Sequence, residues 1–247
     1  MINQQKRIAL FVTCVVDQIM PEVGVSTVKV LRRAGYDVDF PAEQTCCGQP
    51  FFNSGLHDEA RRLARRTIDI LADQEIVVLP SGSCTTMIRQ EYPHLLANEP
   101  KYYYRALRLA KKTFELSEFL MKEAHWGETA VSHQPAPQPN PITYHDSCHM
   151  CRLLGLKKEP RQALQAAGYA IQEMEESERC CGFGGLFSVR MPEVSNAMTA
   201  EKLRQAKTTD AATLVTADPG CLMQMRGLTD NQPPVEHIAT MLERATR

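Results

Sequence analysis

The sequence predicts an α/β protein made of two pseudo-symmetric βαβ-type halves with mostly parallel sheets. Three observations predict it. Short, apolar, β-branched runs alternate with stretches of helical periodicity along the 247 residues, an order that builds parallel sheets. Four cysteine positions of the first half recur in the second at a nearly constant offset. Every recurring cysteine falls just past the carboxyl end of a predicted strand, where open parallel sheets place their ligands.

The elements follow in order. Residues 8–13 form an apolar strand with Cys14 at its carboxyl end. Residues 22–34 read as a helix that Gly35 closes, because glycine accepts the left-handed conformation of a helix terminus. Residues 36–40 alternate as a short strand ahead of the Cys46-Cys47-Gly48 turn. Residues 56–73 have helical periodicity with an arginine-rich polar face, 76–79 form a buried strand before Cys84, and 102–124 read as one long helix. The second half repeats the order. A strand at 142–145 precedes Cys148, and a helix at 159–167 is closed by Gly168. A strand at 169–174 precedes Cys180 and Cys181, and a helix covers 193–206. A strand at 213–217 precedes Cys221, and a last helix covers 235–245. The halves are expected at 1–126 and 142–247, joined by a stiff linker at 127–141 that carries four prolines.

Charge and composition narrow the function. Lysine plus arginine number 28 and aspartate plus glutamate 29, without the basic excess of a general nucleic-acid binder. No apolar run reaches the roughly 18 residues of a membrane span. Lys6 and Arg7 precede an apolar stretch at 8–11, but it is short and no small-residue cleavage site follows it. A cytoplasmic, reduced protein is therefore expected. There, clustered cysteines serve as metal ligands or redox thiols more often than as disulfides. Nine cysteines, an odd number, cannot all pair within the chain.

Cys14, Cys46 and Cys47 recur 134 residues later as Cys148, Cys180 and Cys181, and Cys84 recurs 137 residues later as Cys221. In both halves 31 residues separate the first cysteine from the pair; 36 residues then precede the last cysteine in one half and 39 in the other. Each half thus offers four thiolates from three loops. Thiolates select zinc, copper(I) or iron–sulfur clusters. Adjacent cysteines on an extended backbone point in opposite directions, so both reach one centre only through a special turn, which Gly48 and Gly182 permit. A cluster accepts such neighbours more readily than a single ion. Iron–sulfur, zinc and free thiols or disulfides all stay open on this chemistry.

Other residues have simpler roles. Cys151 forms a Cys-x-x-Cys with Cys148 and is an alternative ligand, but its first-half counterpart is Asp17. His145 and His149 flank Cys148 as ordinary polar residues, and Arg61, Arg62, Arg65 and Arg66 read as a solvated helix face. Gly182, Gly184 and Gly185 belong to the Cys-Cys-Gly turn rather than to a nucleotide loop. No flavin or nicotinamide fingerprint is present.

The spacing resembles a duplicated cysteine-rich CCG domain, as found in heterodisulfide reductase and in the iron–sulfur component of glycolate oxidase. The segments FVTCVVD, CCGQPFFNSG, PSGSC, YHDSCH and CCGFGGLFSVRMPEVSNAM make the chain similar, over nearly its whole length, to the lactate-utilisation protein A family. That resemblance implies an iron–sulfur electron-transfer subunit of a cytosolic complex that oxidises L-lactate to pyruvate. It also implies one or two clusters held by the eight repeat cysteines, a ferredoxin-like iron–sulfur partner and a third lactate-utilisation subunit. The full CCG pattern ends in Cys-x-x-Cys, yet Met87 and Gln224 stand where the last cysteine belongs. Four thiolates per half still suit a four-iron cubane. The alternatives are a thiol–disulfide redox protein and a structural zinc or scaffold subunit.

Overall fold

The computed structural model describes residues 6–126 and 138–246. The first half runs β1 (Arg7–Leu10), α1 (Cys14–Ile19), α2 (Pro21–Arg33), β2 (Asp37–Asp39), α3 (Gln49–Asn53), α4 (His57–Ile70) and β3 (Val77–Leu79). It continues with α5 (Gly82–Thr86), α6 (Tyr92–Leu95), α7 (Pro100–Lys111), β4 (Thr113–Glu115) and α8 (Leu116–Lys122). The second half has β5 (Ile142–His145), α9 (Lys158–Ala166), α10 (Leu186–Arg190), α11 (Pro192–Lys207), β6 (Thr213–Thr216), α12 (Pro219–Leu228), β7 (Val235–His237) and α13 (Ile238–Ala245). Wide π-helical turns occupy Met87–Glu91 and His149–Leu153.

Both sheets are parallel, as expected. The first has the order β2-β1-β3-β4, with Ala9 opposite Val77 and Leu79 opposite Glu115. The second has the order β5-β6-β7, with Thr216 opposite both His145 and His237. Ile171 bridges Ile142 on the free side of β5, in the position that β2 holds in the first sheet.

Three expected elements are corrected. The helix expected at 102–124 is broken: α7 stops at Lys111, β4 pairs with β3, and α8 starts afresh. Thr113 and Phe114 are β-formers, and the unpaired edge of β3 outweighs continued helix. The Glu115 carboxylate caps the new helix, accepting from the Ser117 amide at 2.7 Å and the Glu118 amide at 3.3 Å. The last expected helix opens as β7 for the same reason, and the Ala239 amide donates to His237 Nδ1 at 3.1 Å. The strand expected at 169–174 contracts to the bridge at Ile171. The linker expected at 127–141 lies largely outside the described residues.

One core cluster joins the halves and includes Leu31, Phe119, Trp126, Tyr144, Leu214 and Leu242. A second, holding Phe11, Ala64, Leu79 and Tyr92, lies on the other side of the first sheet. Arg33 in α2 donates to the Glu243 carbonyl in α13 at 2.8 Å and pairs with its buried carboxylate at 3.4 Å, so the halves are tied by charge as well as by apolar contact. Among the described residues no helix is long and apolar enough to cross a membrane.

His237 makes the fold acid-sensitive. It is fully buried, and its capping nitrogen must stay unprotonated. Burial pushes its pKa down to about 4 from an ordinary 6.5. Between those values the unfolded chain binds the proton and the folded one does not, so stability falls as pH drops from about 6.5 to 4, by about 3 kcal/mol in full. Denaturant unfolding of the metal-free protein across that range measures it. His237→Asn, which keeps a capping acceptor, should flatten the slope; an unchanged slope contradicts the assignment.

Candidate metal centres

The same local construction occurs twice. Beyond β1, Thr13 takes a positive φ of 75° and turns the chain so that Cys14 opens α1. Beyond β5, Cys148 leads into the π-helical turn at His149–Leu153. In each Cys-Cys-Gly segment the glycine has a φ near 90°: 92° at Gly48 and 91° at Gly182. That left-handed turn brings the glycine N–H onto the first cysteine of the pair. Gly48 donates to Cys46 Sγ, and Gly182 to Cys180 Sγ, both at 3.4 Å. The last cysteines, Cys84 and Cys221, sit in the first turns of α5 and α12. Ser81 caps α5 by accepting from the Cys84 amide at 3.3 Å, and Asp218 caps α12 by accepting from the Gly220 amide at 3.0 Å. The other Asp218 oxygen accepts from the Ser83 amide at 2.7 Å, which stitches the two sites together.

The result is two quartets of sulfur. In the first, thiols pair in the sequence Cys14, Cys46, Cys47, Cys84, with the last two sulfurs 3.2 Å apart. In the second the sequence is Cys148, Cys180, Cys181, Cys221. Donation from Cys14, then from Cys47, pulls the Cys46 thiol down to about 3; donation from Cys148 and Cys181 pulls Cys180 down to about 2. The donors, Cys14, Cys47, Cys148 and Cys181, are pushed up by those same bonds and by burial. Each quartet thus holds one thiolate readily, and the thiols that donate to it ionise only if a cation relieves the repulsion. All nine cysteines are unbridged. The eight repeat cysteines line one cleft between the halves, together with Gln49, Asn53, Phe183 and Asp218. Cys47, Cys84, Cys181 and Cys221 are buried, while Cys14, Cys46, Cys148 and Cys180 are half-buried. This donor set fits a soft metal or a cluster.

Cys151 does not join the quartet. It is buried, is not among the cleft-lining residues, and its Sγ lies 3.9 Å from the Cys148 carbonyl. Met87 is buried, and the Gln224 amide donates to Ser195 Oγ at 3.1 Å and Thr199 Oγ1 at 3.0 Å. Of the four arginines read as a solvated face, Arg62 and Arg66 are exposed, while Arg61 and Arg65 are half-buried and pin the helix to its neighbours: Arg61 donates to the Leu95 carbonyl and Arg65 pairs with Glu99.

Two buried residues of the second half carry more than the sequence alone gives them: it does not single out Lys202, and His145 reads there as an ordinary polar residue. Lys202 is fully buried and donates to the carbonyls of Glu176 and Ser177, pinning the loop before Cys180. Burial pushes its pKa down to about 8. His145 is fully buried, and a ring nitrogen lies with the sulfurs of Cys181 and Cys221 in a group no more than 4.8 Å across. The repeat register held a signal for it, since Phe11 occupies the matching place in the first half.

The family profile of the cysteine-rich CCG domain matches residues 8–89 and 142–226. Lactate utilization protein A of Bacillus subtilis (strain 168) is 44% identical over 240 residues, covering 96% of this chain and 98% of that protein. The protein of the same name from Shouchella clausii is 45% identical, covering 95% and 98%. That from Halalkalibacterium halodurans is 42% identical over 245 residues, covering 98% of both chains. Among solved structures, glutamate racemase from Francisella tularensis aligns with 98% of this chain and 78% of that one at a TM-score of 0.34 and 12% identity, too loose a likeness to carry an argument.

The glycines give a test of the geometry. A Cβ at Gly48 would meet only ordinary contacts at 3.5 Å, whereas one at Gly182 would lie 2.4 Å from the Ser195 carbonyl oxygen. Gly48→Ala should cost about 1–2 kcal/mol from its backbone alone, and Gly182→Ala at least about 2 kcal/mol more. Urea midpoints of the metal-free variants decide it; equal losses contradict the asymmetry.

Proposed function

Because the chain belongs to the lactate utilization protein A family and carries two copies of the CCG cysteine-rich domain, we propose that it is an iron–sulfur electron-transfer subunit of a cytoplasmic complex that oxidises L-lactate to pyruvate. The observation that carries this reading is the pair of matching sulfur quartets on one cleft. Cys14, Cys46, Cys47 and Cys84 would hold one cluster, and Cys148, Cys180, Cys181 and Cys221 the other, four-iron in type. Bound there, such clusters supply reversible one-electron chemistry.

The chain's own residues set the conditions. The Gly48 and Gly182 amides donate to sulfur and so favour the added charge of a reduced centre. Two sulfurs of each quartet are buried and two half-buried, so water reaches only part of each site. Oxidation of a 2-hydroxy acid to a 2-oxo acid releases two electrons and two protons. The two quartets, each holding a one-electron group, would let the protein take such electrons one at a time. A ferredoxin-like iron–sulfur subunit and a third lactate-utilisation subunit are the proposed partners.

One observation favours a second reading. Cys46 and Cys180 are half-buried with strongly lowered pKa values and each has a neighbouring thiol, a combination that suits thiol–disulfide exchange. Metal analysis of anaerobically purified protein separates the readings. The cluster reading expects about four irons with matching acid-labile sulfide per half, and loss of one half's share in Cys47→Ser or in Cys181→Ser. Iron-free protein whose Cys46 alkylates rapidly below pH 7 would favour the thiol reading, and stoichiometric zinc a structural one.

A further inference from the structure

We infer that the two halves hold chemically different centres: in the second half the imidazole of His145 is a nitrogen donor beside Cys181 and Cys221, where the first half offers sulfur alone. The identity of the metal rests on the function proposed above; the donor role of His145 does not.

His145 ends β5 at 0% exposure. Neither ring nitrogen completes a hydrogen bond of ordinary geometry, although the Ser177 carbonyl is near enough to act on the ring. A buried imidazole whose nitrogens are not both well satisfied is costly, and the Ser177 carbonyl can serve only one of them, which leaves the other open to a further partner. One of its nitrogens and the sulfurs of Cys181 and Cys221 lie within 4.8 Å of one another. Metal–nitrogen and metal–sulfur distances of about 2.0–2.3 Å hold the ligands of one ion within about 4.5 Å, so small side-chain shifts would bring the ring onto an ion held by these sulfurs; on a four-iron cluster it would replace one thiolate or add a fifth ligand.

His145 stands behind the cleft lining, on the Cys181 and Cys221 side, and the other polar neighbours are engaged elsewhere or approach a different sulfur. The Gln224 amide is engaged by Ser195 and Thr199. His149 stands at the cleft, half-buried, with Nδ1 3.7 Å from the sulfur of Cys148. In the first half Phe11 takes the same place at the end of the strand, and its ring packs in the apolar cluster that includes Cys47 and Cys84. The duplication therefore kept the sulfurs and changed the residue behind them. The second half offers the mixed nitrogen and sulfur set that borderline metals accept.

The test uses full-length protein carrying 15N only in histidine, purified anaerobically and reduced. Pulsed electron paramagnetic resonance should show a directly bound nitrogen. That coupling should persist in Cys47→Ser, which disables the first half, and vanish in His145→Phe, which copies the first half's residue. His145→Cys, which restores a donor, should keep the second half's iron without the nitrogen signal. Iron in the second half with no nitrogen coupling, or a coupling that survives His145→Phe, would overturn the inference and leave the proposed function standing. Protein without iron would overturn the proposed function, and cobalt(II) added to the metal-free protein then reads the same donors. His145→Phe should weaken cobalt(II) binding in the second half at least about tenfold, as loss of even an outer partner does; unchanged binding would overturn the inference.

Discussion

Sulfur crowding is the constraint on which the rest of the structure depends. Four thiols gathered at the carboxyl end of a parallel sheet repel one another once they ionise, and the fold must offset that before any centre can form. It does so with oriented backbone. Cys14, Cys84 and Cys221 each stand in the first turn of a helix, where unpaired amides favour negative charge. The Cys-Cys-Gly turns add an amide aimed at sulfur in each half. A metal centre bound there would neutralise the remaining negative charge and so couple metal loading to stability.

This constraint explains which features repeat and which vary. The strand order, the left-handed glycines, the helix-opening cysteines and the capping residues Ser81 and Asp218 recur, because each places or supports a sulfur. The surroundings of the quartets differ. The second half carries a buried histidine and a buried lysine, and its Gly182 is pressed against α11 far more closely than Gly48 is pressed against α4. Of the two caps, Asp218 reaches across to the opposite half, to the Ser83 amide, and this bond ties one quartet to the other.

Most of the site was legible in the sequence because its signal is a covalent spacing. Cysteines at the same interval, each following a β-branched run, located both quartets and the face of the sheet that carries them. Boundaries were less legible where tertiary pairing overrode local preference. The run from Tyr102 to Ala124 has helical periodicity throughout, and only the exposed edge of β3 explains why Thr113–Glu115 leaves the helix. Tyr169 to Met174 alternates like a strand, but the second sheet takes only Ile171. His145 reads as an ordinary polar residue because one histidine near a cysteine carries no periodic signal; its meaning lies in its full burial and in ring nitrogens that the chain does not fully satisfy.

An anomalous difference map at the iron absorption edge, from crystals grown without oxygen, tests the central claim most directly. The account predicts two peaks per chain, one enclosed by Cys14, Cys46, Cys47 and Cys84 and one by Cys148, Cys180, Cys181 and Cys221. A map with no iron peak at either quartet would contradict it.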